Sequence, residues 1–226
     1  EGLRQLAELA QQDASPTADL ALISSYLARR QLDAALEQVA SLERKEPGKP
    51  GSAFTRGRIL LLKGDVEGAK AALEEALKRD PAYVSALSSL ALLDLREGKA
   101  DVARARFEVM LKAAPNNVAA LTSLADLLMI LKAPQAEVTA LLERATAAEP
   151  GNATPHLMLV DYLLTQKSYS AAVTAGQKAV AAVDSSPELL NALGRAESAG
   201  GDSAQAPASF AKQAQLQPTA AAPYLS

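Results

Sequence analysis

Residues Gly57–Pro81, GRILLLKGDVEGAKAALEEALKRDP, carry the pattern that decides the fold. An apolar stretch ends at Lys63, Gly64 and Asp65 follow, and apolar residues then recur at helical spacing up to Arg79-Asp80-Pro81. A glycine placed just after a helix takes positive φ without a Cβ penalty, which lets the chain turn. A carboxylate at the start of the next helix meets free N–H groups and is worth ~1 kcal/mol. A proline just beyond that helix cannot continue it. The stretch therefore predicts helix, short turn, helix, stop.

The pattern recurs. Pro47, Pro81, Pro115, Pro150 and Pro218 close segments of similar design, at intervals of 34, 34 and 35 residues up to Pro150, and two further steps of 34 reach Pro218. With the closing proline at position 32, the units run 16–49, 50–83, 84–117, 118–152, 153–186 and 187–220, and the fourth carries one extra residue near Ala133-Pro134. Small residues return at position 20 (Ala35, Ala69, Ala103, Ala172, Ala206, with Val138 the exception) and at position 8 (Gly57, Ala91, Ala125, Gly194). Bulky residues return at position 24 (Val39, Leu73, Phe107, Leu142, Phe210), where Gly176 departs, and at position 7 (Leu22, Leu90, Leu124, Leu159, Leu193), where Arg56 departs. Small residues let helix axes approach, and bulky ones fill the space between them. No unit hides its apolar stripe alone, so neighbours must stack into one core.

A 34-residue helix–turn–helix period with this wording resembles the tetratricopeptide repeat family, on Gly57–Pro81 and again on ELLNALGRAESAGGDSAQAPASF, Glu188–Phe210. The resemblance implies an all-α, right-handed superhelical solenoid of about six repeats over residues 16–220. Residues 1–15 read as the second helix of a preceding repeat, and 221–226 as the start of a truncated further one. A narrower resemblance lies in the wording of Lys63–Asn117 and Ala133–Leu164, which is similar to the PEP-CTERM-system repeat lipoproteins of exopolysaccharide-producing bacteria. It implies an internal part of a longer lipid-anchored protein in the periplasm or at the outer membrane, with a cytoplasmic location as the alternative. The chain begins without Met, and it reads as a piece of something longer.

Composition agrees with helices. Apolar residues make up 49%, mostly Ala and Leu, while aromatics are 4% and Trp is absent. A net charge of −3 without clustered basic residues argues against nucleic acid. With no Cys, thiolate metal sites and Cys nucleophiles are excluded. No run approaches the ~18 apolar residues of a membrane span. The Gly98-Lys99 pair looks like a phosphate loop but follows a helix, lacks further glycines and leads into Ala100-Asp101 rather than Ser or Thr. It reads as the turn inside a repeat, at the position that also holds Gly64, Gly201, Arg30, Lys132 and Lys167. His156 is the single histidine and reads as a packing residue, since a metal needs several ligands in one place. Ser24-Ser25, Ser88-Ser89 and Ser185-Ser186 lack a nucleophile elbow, and Asn152-Ala153-Thr154 is a sequon in an inter-repeat turn. No cofactor and no catalytic residue is expected.

The family resemblance places function on the concave face of the first helices, at positions 2, 5, 9, 12 and 13. The residues expected to contact a partner there are Phe54, Arg58, Leu61, Leu92, Arg96, Asp126, Met129, Asp161, Leu164 and Arg195. An apolar floor with alternating charge suits an amphipathic helix or extended peptide of a partner protein. Asp126 and Asp161 share position 9 of successive units and read as solvated groups rather than an acid–base pair. Position 9 never holds Asn, which argues against a clamp for a C-terminal carboxylate. The expected partner is a protein or peptide, with exopolysaccharide machinery implied by the narrower resemblance. A polysaccharide-contacting scaffold is the second reading, against which the few aromatics count.

Overall fold

The structure, a computed structural model, describes residues 2–12 and 15–201. Ala206, Phe210, Asp202, Pro218 and the stretch 221–226 lie outside them. The described residues form twelve α-helices: α1 (Gly2–Gln12), α2 (Thr17–Ala28), α3 (Leu32–Lys45), α4 (Pro50–Lys63), α5 (Val66–Arg79), α6 (Val84–Arg96), α7 (Ala100–Ala113), α8 (Val118–Ile130), α9 (Gln135–Ala148), α10 (Ala153–Thr165), α11 (Tyr169–Ala182) and α12 (Pro187–Ala199). The chain divides into two compact units, residues 1–106 and 107–226, with the boundary inside α7.

One backbone device recurs at every first-to-second helix turn. Position 15 has positive φ in all six repeats: Arg30 57°, Gly64 83°, Gly98 74°, Lys132 53°, Lys167 57° and Gly201 83°. Its N–H donates to the carbonyl three residues back (Gly64 to Leu61, 3.1 Å; Lys132 to Met129, 3.1 Å). The next N–H donates five back (Asp65 to Leu60, 2.9 Å; Ala133 to Leu128, 2.9 Å; Ser168 to Leu163, 2.9 Å). This pair of bonds satisfies the last carbonyls of the first helix and reverses the chain. Asp65 then caps α5, its carboxylate accepting from the Gly68 N–H at 2.9 Å. Asp101 lies one residue inside α7, in the first turn, where it acts on the helix dipole instead of capping. The extra residue of the fourth repeat sits in the α8–α9 turn, outside both helices.

The repeated apolar positions are the core. Ala35, Ala69, Ala103, Val138 and Ala172 at position 20 are all 0% exposed, and Val39, Leu73, Phe107 and Leu142 at position 24 are at most 1%. Gly57 marks how closely α4 and α5 approach: a Cβ there would lie 2.9 Å from Leu73 Cγ. Gly176, out of pattern at position 24, admits the backbone of Leu193, whose Cα would be 3.2 Å from an added Cβ. Two core clusters of unit one each draw on three successive helices. Ile23, Ala35, Val39, Leu42 and Ile59 join α2, α3 and α4, and Ala53, Leu73, Ala76, Ala86, Leu90 and Leu93 join α4, α5 and α6. A buried Leu such as Leu73 contributes about 1.5–3 kcal/mol, and it does so only because the next repeat covers it. In unit two the first helices α8, α10 and α12 touch in succession, with α9 and α11 packed against them.

A left-handed residue with a side chain costs about 1–2 kcal/mol, and glycine escapes most of that at some entropic cost. Lys132→Gly and Lys167→Gly are therefore expected each to raise unfolding stability by about 0.5–1 kcal/mol in urea titration, and Gly98→Val to lower it by more than 1 kcal/mol.

Candidate functional site

The ten residues expected on the first-helix face divide evenly between the two units. In unit one, Phe54 and Leu61 are half-buried and pack against the α4–α6 core cluster, so they are partly structural. Phe54 meets Tyr83 edge-on, with ring centroids 5.4 Å apart and planes at 72°. The guanidinium of Arg58 lies 5.7 Å from the Phe54 centroid, within cation–π range. Leu92 on α6 is 50% exposed, and Leu62 on α4 is 64% exposed. Arg96 is exposed, and no carboxylate pairs with it among the described residues.

In unit two, Asp161 of α10 and Arg195 of α12 form an ion pair at 2.5 Å. Equal positions of adjacent repeats thus come side by side, and both side chains stay about half exposed. Such a pair contributes little stability. Asp126 has no ion pair or hydrogen bond among the described residues, and desolvation pushes its carboxyl above the ordinary carboxylate range although one side stays open to solvent. Met129 and Leu164 are half-buried beside these groups.

A polar framework escaped the sequence reading. Lys45, at position 30, reaches back to the Ala10 carbonyl at 2.6 Å and the Ser15 carbonyl at 3.5 Å, and it pairs with Asp19, which is fully buried. Gln38 donates to the same carboxylate at 2.6 Å. Arg79, also position 30, donates to the Lys49 carbonyl at 3.1 Å and to Ser52 Oγ at 3.2 Å, and it pairs with Glu43 and with Glu75. In both repeats the end of the second helix is tied to the entry of its own first helix. Arg56, the misfit at position 7, bonds Glu43 at 3.0 Å. Asp94 is buried as Asp19 is, and it is held by Arg106 at 2.6 Å.

Other sequence candidates resolve locally. Lys99 bonds Glu97 at 2.8 Å, and Lys70 bonds the same carboxylate. The hydrogen bond from Lys70, with that from Lys99 behind it, lowers the Glu97 pKa to about 2. Lys99 is thus an ion-pair partner at a turn. Asn152 caps α10 by accepting from the Thr154 N–H at 3.1 Å, and its amide nitrogen donates to Glu149 at 2.8 Å. His156 is buried, with Nε2 3.0 Å from the Pro150 carbonyl. Among the described residues no group of three or more His, Cys, Asp or Glu side chains could hold a metal, and no helix is long and apolar enough to cross a membrane.

A family model described as tetratricopeptide repeat matches residues 20–84 and 139–187, half of the chain, and a second with the same description matches residues 60–128. No curated protein matches the sequence. Among solved structures, the C-terminal part of a TPR repeat-containing protein from Cytophaga hutchinsonii is similar at 16% identity and a TM-score of 0.59, covering 96% of this chain and 90% of that one. Pseudomonas aeruginosa pilF is similar at 14% identity and a TM-score of 0.56, covering 97% and 95%. A MamA protein is similar at 20% identity and a TM-score of 0.55, covering 78% and 96%. At these identities the likeness is one of fold.

Two pH-dependent outcomes follow from the charges. The Glu97 carboxyl, followed by NMR, is expected to titrate near 2 and to move toward 4.5 in Lys70→Met. Its pKa is depressed in the fold, so its stabilisation is present above 4.5 and is lost as pH falls toward 2. Asp126 is the opposite case: its raised pKa makes the folded state less favourable once the group ionises. Asp126→Asn is expected to melt higher than the parent at pH 7, and the gap should close below pH 3.8, where the carboxyl is protonated in both states.

Proposed function

The chain belongs to the tetratricopeptide repeat family, and from that premise we propose that it is a non-catalytic scaffold whose first helices hold a segment of a partner protein. The observation that carries this reading is the surface of unit one. Leu62 and Leu92 stand exposed on first helices, each one turn from a cation: Arg58, whose guanidinium stacks on Phe54, and Arg96, which has no carboxylate partner among the described residues. Large apolar side chains left in water next to cations suit an amphipathic helix whose apolar stripe is flanked by acidic residues. The Arg58–Phe54 stack holds that cation in place before a partner arrives, so less side-chain entropy is lost on binding. In unit two, Asp161 and Arg195 neutralise each other, and Asp126, without an ion pair among the described residues, supplies a charge one turn from Met129.

The similarity of Lys63–Asn117 to PEP-CTERM-system repeat lipoproteins supports a partner drawn from the exopolysaccharide machinery of a bacterial envelope. A protein partner is favoured over the polymer itself, because sugar-binding grooves lean on exposed aromatic rings and Phe54 is half-buried in the core edge.

Capture from such an envelope extract, with identification by mass spectrometry, tests the reading. The parent chain is expected to retain a protein that Arg58→Glu combined with Arg96→Glu loses by at least about tenfold, since each charge-assisted contact is worth roughly 1.5–3 kcal/mol. Equal retention by the double variant, or recovery of no protein, would sink the proposal.

A further inference from the structure

Between α9 and α11, over α10, lies a cleft of about 680 Å³. None of the first-helix residues assigned to partner binding lines it. His156 and Leu159 of α10 contribute to it, with Glu143 and Thr146 of α9 on one side and Lys178 and Ala182 of α11 on the other.

The repeat register explains why space is left there. The matching junction in unit one is α3 against α5 over α4, where positions 28, 30 and 7 are Glu43, Arg79 and Arg56. Those three long polar side chains interlock: Glu43 accepts from both guanidinium groups, and Arg79 also donates to Ser52 Oγ and the Lys49 carbonyl. In unit two the same positions are Thr146, Ala182 and Leu159. The arginine and its carboxylate are replaced by small side chains, and the room they would fill stays open.

Two of the groups around that room, Glu143 and His156, are suited to a cation, and Lys178 to an anion beside it. Glu143 and Lys178 are exposed, and neither pairs with another group among the described residues. His156 is only 7% exposed. Its Nε2 sits 3.0 Å from the Pro150 carbonyl, and a carbonyl oxygen only accepts, so Nε2 carries the proton and Nδ1 is left as an acceptor. No side-chain nitrogen or oxygen among the described residues is both fully buried and unbonded. His156 lines the cleft, and with Nε2 on the Pro150 carbonyl, Nδ1 is the ring nitrogen left to meet a donor there. A carboxylate, an imidazole acceptor and an apolar side chain lining one cleft offer what a guanidinium on a methylene stem requires.

We propose that this cleft binds an arginine side chain presented by a short peptide segment of another protein, with the guanidinium in the room that Arg79 fills in unit one. Glu143 and His156 Nδ1 accept its N–H groups, Leu159 packs on its stem, and Lys178 takes an acidic residue next to the arginine. The site is separate from the first-helix surface, and neither reading depends on the other.

The test titrates the full chain with a blocked peptide, Ala-Arg-Leu-Asp-Ala, and with its twin carrying neutral citrulline for arginine, followed by NMR. Shifts are expected at Thr146, His156 and Lys178, with the arginine peptide binding at least about tenfold tighter than its twin, as expected for a charged hydrogen bond. Glu143→Gln should weaken the arginine peptide by about the same factor. Ala182→Arg should abolish binding with no fall in melting temperature, because it supplies the arginine internally. Equal binding of the two peptides, undiminished binding by Ala182→Arg or Glu143→Gln, or no shifts at millimolar peptide would each overturn the proposal. Any of these would leave the capture result at Arg58 and Arg96 unaffected.

Discussion

The structure depends on one residue per repeat adopting a left-handed backbone. At position 15 the chain must stop one helix and start another within two to four residues, and positive φ there lets two backbone hydrogen bonds close the first helix while the chain reverses. That reversal lays the second helix antiparallel on the first. It brings position 8 against positions 20 and 24: a Cβ on Gly57 would lie 3.2 Å from the Ala69 carbonyl oxygen and 2.9 Å from Leu73 Cγ. Three repeats meet the requirement with glycine, and three meet it with Arg30, Lys132 or Lys167 at the cost of backbone strain. Long cationic side chains at those three turns remain exposed, so the strain is backbone strain alone and no packing is disturbed.

Residues whose role is set by local geometry or by the period were legible in the sequence. The closing prolines fixed the 34-residue register, and the register alone marked Arg30, Lys132 and Lys167 as turn residues, although none is a residue type that signals positive φ. Contacts between residues 26 to 36 apart were not legible. The Lys45 and Arg79 struts join the end of a second helix to the entry of its own first helix, and position 30 carries no fixed residue type to flag them. Arg56 and Gly176, which looked like defects of the pattern, are each matched by a compensating neighbour, Glu43 and the Leu193 backbone. Facing was read less sharply than register. Phe54 and Leu61 sit at the core edge, because positions 5 and 12 lie on the flank of the helix stripe where a shift of one residue changes what a side chain touches.

A repeat array separates its positions by how much freedom each retains. Position 20 is buried to the last atom in every described repeat, so its chemistry is dictated. Position 9 is exposed and holds Ser24, Arg58, Leu92, Asp126, Asp161 or Arg195; the Asp161–Arg195 pair between neighbours adds little to stability, so sequence there is free to serve recognition. Position 30 is intermediate. Where it is Lys45 or Arg79 it braces the repeat, and where it is Ala182 the brace is gone while the helices remain in place. The fold tolerates that loss because apolar contact between successive helices supplies most of the stability, and a surface ion network supplies little of it. A brace that the core can do without is the position at which a repeat can open a pocket, and the α9–α11 junction carries that change on both of its walls.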